Sequence, residues 1–123
     1  MDLPGLTVSA RPSDRDERCA VVSLAGRAGI ADAAWIRRML ELPEARGPGL
    51  IIVDLSRLSS IDWWAALILL WAGRMVSRRG GTLVLASPQP AVARLLNAVG
   101  AAQAVTVYPS VQQASADPRN PRS

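Results

Sequence analysis

Residues 50–62 read Leu50-Ile51-Ile52-Val53-Asp54-Leu55-Ser56-Arg57-Leu58-Ser59-Ser60-Ile61-Asp62. The first six are almost continuously apolar and rich in β-branched side chains. Such a run marks a strand covered on both faces, as at the centre of a parallel sheet between helices. Ser56 to Ile61 reads as a loop leaving that strand, and Asp62 stands where the next helix needs an N-cap. The helix itself spans residues 63–79 and stops at Gly80-Gly81, with Arg78 and Arg79 in the last turn where the dipole favours cations.

Working outward, residues 19–25 (Cys-Ala-Val-Val-Ser-Leu-Ala) form a second apolar strand, and residues 6–10 a short one before it, its hairpin partner. The charged stretch 11–18 between them reads as a solvated connection. Residues 31–42 carry Trp35, Met39 and Leu42 at helical spacing, and Pro43 ends that helix. Downstream, residues 82–86 are a strand, with Ser87 as N-cap and Pro88 at the first position of a helix over 91–99. A last strand covers 104–108, and Ser110 caps a short turn over 111–114. The polar, Pro-containing stretch 115–123 has the composition of a disordered tail. The predicted architecture is one α/β domain over 1–114. Its mixed, mostly parallel sheet has about five strands, with an antiparallel N-terminal hairpin, right-handed crossovers and three to four helices.

Composition narrows the chemistry. The 123 residues are half hydrophobic, so one domain can bury a core without staples. All 14 basic residues are Arg, and His is absent. A Ser-His-Asp triad, a His metal ligand, a Walker A loop and a Schiff-base lysine are thereby excluded. No catalytic residue, cofactor or metal is expected. The net charge of +4 is spread thinly rather than gathered into a basic stripe, which argues against nucleic acid as partner. The Ala-, Gly- and Arg-rich usage also resembles that of a GC-rich genome. The single Cys19 fits a reducing cytoplasm and reads as a small core hydrophobe. The uncharged run from Trp63 to Gly73 is 11 residues, against the ~20 a bilayer span needs. No membrane insertion and no signal peptide are expected.

The segment 50–62, with its Asp-Leu-Ser exit and a second Asp at position 62, resembles the centre of a STAS domain, typified by bacterial anti-sigma-factor antagonists. Arg78-Arg79-Gly80-Gly81-Thr82-Leu83-Val84-Leu85, the stretch 87–100 with Pro88, Val92, Leu95, Leu96 and Gly100, and Val22-Ser23-Leu24-Ala25-Gly26 fit the same family in register. The likeness spans roughly residues 6–114. It implies a cytoplasmic module that sequesters an anti-sigma factor of the kinase type and so frees a sigma factor for transcription. In such proteins the Asp matching Asp62 is followed by Ser, then Ser or Thr, then Gly, and a hydroxyl of that pair is phosphorylated. The added charge of about −1.5 to −2 breaks the complex.

This chain has Trp63, Trp64 and Ala65 there, and an indole accepts no phosphoryl group. Gly29 also stands near where the family has an acidic residue. The resemblance thus implies a non-phosphorylatable variant whose partner-binding residues are Ser59, Ser60, Asp62, Trp63, Trp64 and Ala65. Ser60, together with Ser56 and Ser59, is the substitute acceptor candidate, although serines in loops also serve local backbone hydrogen bonds. Trp has the area and rigidity of a binding anchor, so at least one of Trp63 and Trp64 is expected outside. Trp64, Ile68, Trp71 and Met75 fall on one helical stripe that reads as core. The helix is nonetheless apolar nearly all round, which makes a homodimer a secondary expectation. Asp54 reads as a loop-ordering residue. STAS domains also serve as cytoplasmic subunits of membrane lipid or anion transport systems, which is the alternative function.

Overall fold

The computed structural model describes residues 2–3, 6–13, 16–29, 39, 41 and 49–120. Their strands are β1 (Asp2–Leu3), β2 (Leu6–Ser13), β3 (Asp16–Ala28), β4 (Leu50–Ile61), β5 (Thr82–Ala86) and β6 (Val107–Tyr108). They form one sheet in the order β1-β2-β3-β4-β5-β6. β1/β2 and β2/β3 pair antiparallel, and the remaining neighbours pair parallel. The expected hairpin is β2/β3, but its strands run into the stretch read as a solvated connection. Of the helix expected over 31–42, only Met39 and Glu41 lie among the described residues. Met39 is helical and 2% exposed, within the main core.

The helices with bounds set among the described residues are α1 (Trp63–Arg78), α2 (Pro90–Ala98), α3 (Ala101–Ala104) and α4 (Val111–Ala116). Strand order advances one step at a time, so right-handed crossovers put α1, α2 and α3 on one face of the sheet. That face holds the larger core, with Val22, Leu24, Ile51, Val53, Leu55, Leu69, Val76, Leu85 and Leu96. The other face holds a smaller cluster of Cys19, Val21, Ile52, Val84, Ala86 and Tyr108 with Ala114 of α4. Cys19 is buried and apolar in its setting, as its sequence position suggested.

Three local expectations are corrected. Residues 56–61 are strand rather than loop. The ladder with β3 continues through Ala25↔Arg57, Gly26↔Leu58, Arg27↔Ser60 and Ala28↔Ile61, with two register shifts. Each shift inserts an extra residue into β4, and this lets Leu55, Leu58 and Ile61 all reach the core at a spacing of three. A period of three does not look like a strand in sequence. Ser87 is not a cap either: it adopts φ 58° at the exit of β5, its hydroxyl donates to the Pro109 carbonyl at 3.2 Å, and the helix starts at Pro90. Residues 101–104 are helical, so the final strand shortens to Val107–Tyr108.

The break expected at residue 115 is likewise not where packing ends. Ser110 caps α4 as anticipated, its Oγ accepting from the Gln113 amide at 3.0 Å. Beyond the helix, Tyr108 Oη donates to Asp117 Oδ2 at 2.6 Å. Asn120, 7% exposed, donates through Nδ2 to the Ala114 carbonyl at 2.7 Å and to Tyr108 Oη at 3.2 Å. Arg119 pairs with Asp117 at 2.8 Å. The Arg119 guanidinium, followed by the Tyr108 hydroxyl, holds the Asp117 carboxyl well below the usual carboxylate range. Burial, then the bond to Asp117, pushes the Tyr108 phenol up.

Candidate partner-binding surface

The junction of β4 and α1 brings the predicted site residues together. Because β4 runs to Ile61, Ser59 and Ser60 sit on a paired strand instead of a free loop. The Ser59 hydroxyl donates to the Gly26 carbonyl at 2.8 Å, tying the end of β3 to the approach to the helix. Asp62 then turns the chain. Its amide donates to the Ala28 carbonyl at 3.0 Å, and its Oδ1 accepts from the Ala65 amide at 2.7 Å, as an N-cap should. Ala65 is buried at 2% exposure and pins the first turn to the core.

Ser59, Ser60, Asp62, Trp63 and Trp64 are all exposed. Trp63 is 48% and Trp64 59% exposed, so the two indoles flank a capped helix start on the outside. They stay out because the inward positions of this turn belong to Ala65 and Ala66, which let the helix lie close to the sheet. The stripe read as core is corrected by the same fact. Trp71 is 49% exposed, Ile68 and Met75 are half-buried, and the inward face is Ala65, Ala66, Leu69, Leu70, Ala72, Gly73 and Val76. An outward role for Trp71 was missed. The signal available was the apolar character of this helix on every side.

A second feature lies on the other face of the sheet, where α4 does not reach. The registers Ser9↔Ser23 and Ser23↔Asp54 set three polar side chains in one row. With Arg11, Ser56 and Arg57 they line an open basin of about 330 Å³. Asp54 Oδ1 accepts from the Ser56 amide at 3.0 Å, and Gln89 Nε2 donates to the Ser56 carbonyl at 2.9 Å. Asp54 therefore orders the local backbone, the role expected of it. Among the described residues, no group of His, Cys, Asp and Glu is placed to hold a metal ion. No helix among them is long and apolar enough to cross a membrane.

Comparison with known proteins supplies a context for this surface. The family model for the STAS domain matches residues 11–114. An anti-sigma factor antagonist from Mycobacterium paratuberculosis is similar in structure, with a TM-score of 0.73 and 20% identity over 93% of this chain and 95% of that one. The anti-sigma factor antagonist SpoIIAA in its unphosphorylated form gives a TM-score of 0.67 and 18% identity over 88% and 92%. The murine Solute Carrier 26 family member A9 anion transporter gives 0.70 and 16%, over 89% of this chain but 21% of the transporter. No curated protein matches.

Proposed function

The chain belongs to the STAS domain family, and from that premise we propose that it is an anti-sigma-factor antagonist whose docking surface is the β4–α1 junction. In this reading it is cytoplasmic, has no catalytic role, and sequesters an anti-sigma factor of the kinase type, freeing a sigma factor for transcription. The observation that carries the proposal is the pair of exposed indoles, Trp63 and Trp64, set beside strand-held Ser59 and Ser60 and the capping Asp62. A rigid frame presenting large flat side chains loses little entropy on docking, which is how a few residues come to dominate an interface.

The two indoles occupy the positions where the family resemblance puts a phosphorylatable hydroxyl. A kinase partner would therefore find no acceptor there, and binding would be constitutive towards it. Ser60 is the remaining candidate acceptor, but its backbone is paired with Arg27 in the β3–β4 ladder. Its side chain is exposed, so it presents its hydroxyl from a fixed strand instead of a free loop.

Affinity capture with the full chain from the native cytosol should recover a kinase-type anti-sigma factor. Trp63→Ala should weaken that complex about thirtyfold, the equivalent of ~2 kcal/mol at an anchor position. Incubation with the partner and ATP should add no phosphate mass. Absence of such a partner, or a complex indifferent to Trp63→Ala, would overturn the proposal. A second reading, a STAS subunit of a membrane lipid or anion transport system, draws on the similarity to the anion transporter. Co-purification with a permease instead of an anti-sigma factor would select it.

A further inference from the structure

We propose that the outward face of α1 is a self-association surface on which a second copy of this chain docks with its α1 antiparallel. Trp64, Ile68, Trp71 and Met75 recur at helical spacing and run along the helix for three turns, with half-buried Leu67 beside them. Trp64 is 59% and Trp71 49% exposed. No charge interrupts the helix from Trp63 to Gly73. Charge appears only at its two ends, with Asp62 at the start and exposed Arg74, Arg78 and Arg79 at the finish.

That end-to-end asymmetry selects the occupant. A two-fold axis near Leu69 and Leu70 sets Trp64 opposite Met75 of the second copy and Ile68 opposite its Trp71. The Asp62 end then meets the Arg78 end. Apolar groups cover apolar groups, a thioether lies on an indole, and unlike charges face each other at both extremities. A parallel pair would set like charges together. An anionic lipid surface would be met by cations at one end and by a carboxylate at the other.

The three exposed indoles offer on the order of 300–400 Å². A standard interface takes about 800 Å² from each partner. Leu67, Ile68, Met75 and the Arg74 and Arg78 stems extend the patch, so the pairing is a reversible one with Kd on the order of micromolar. Because Trp63 and Trp64 lie at the edge of this face, pairing and anti-sigma binding compete. That competition, unlike the pairing itself, rests on the function proposed above.

Sedimentation equilibrium of the full chain from about 1 to 300 μM tests the pairing. The weight-average mass should climb from 13.1 kDa towards twice that value. Trp71→Glu should hold it at the monomer with an unchanged melting temperature, and Arg78→Glu should weaken association a few-fold. Mixed Ile68→Cys and Trp71→Cys chains should cross-link on oxidation. Arg78→Cys chains should not cross-link to one another, since an antiparallel pair keeps those positions on the order of 25 Å apart. A wild type that stays monomeric at every concentration overturns the proposal, as does efficient self-cross-linking through Arg78→Cys. A monomer that instead binds phosphatidylserine vesicles through Trp71 makes the face membrane-directed and also overturns it. None of these readouts depends on whether an anti-sigma factor is captured.

Discussion

The inward and outward faces of α1 are built from opposite kinds of apolar residue. Inward stand Ala65, Ala66, Ala72 and Gly73 among leucines and Val76; outward stand Trp63, Trp64 and Trp71. Small side chains belong inside because the helix lies close to the sheet and its neighbours. A Cβ built on Gly73 would come within 2.6 Å of Val105 Cγ1. Side chains as large as an indole are accommodated only on the side that faces solvent. Hydrophobicity alone thus says little about which face is core, and size decides it.

The largest effect that can test this contrast is expected at Leu69, 1% exposed on the inward face. Leu69→Ala should cost about 3 kcal/mol in urea-induced unfolding, from lost transfer energy plus a residual cavity. Gly73→Ala comes next, with net destabilisation of about 1–2 kcal/mol. There the clash with Val105 outweighs the gain of about 1 kcal/mol in helix propensity. A stabilising Gly73→Ala would show that the approach is looser than described. Removing the cap through Asp62→Ala should cost about 1 kcal/mol and fray the first turn, visible as faster amide exchange at Ala65 and Ala66.

Trp71→Gln, on the outward face, should stay within about 0.5 kcal/mol of wild type at low protein concentration. A cost above about 2 kcal/mol would erase the distinction between the faces. Least change is expected away from the helix, in the Tyr108–Asp117–Asn120 clasp, across neutral pH. The lowered Asp117 value means its contribution is complete above the ordinary carboxylate range near pH 4 and is lost as pH falls through the lowered native value. The raised Tyr108 value has the opposite sense, with stability lost only as pH rises through a value above about 10. Exchange protection of the Asn120 amide should therefore be flat between about pH 5 and 9.

Much of the fold was legible because its signals are local. The buried run 50–55, the capping Asp62, the Gly80 stop and the alternation of strand and helix each follow from residue chemistry within a few positions. Gly80 adopts φ +87°, a conformation that costs a residue without Cβ little. The misreadings came where tertiary contacts override those signals. The second half of β4 hides its strand character behind two register shifts. The tail is anchored by Tyr108 and Asn120 through bonds that no composition reveals. The grouping of Ser59, Ser60, Asp62 and the two indoles was readable, since it lies within six consecutive positions. The partnership of Ser59 with Gly26, 33 residues away, was not.

The placement of the aromatic side chains also has a photophysical consequence. The chain has four Trp, one Tyr and no Phe, and three of its four indoles are about half exposed to water on α1. Emission excited in the indole band is weighted towards hydrated fluorophores that start out red-shifted. Denaturation will change that spectrum little, whereas occlusion of the helix will move it to the blue. The molecule thus carries a built-in optical gauge of surface contact, readable without a label.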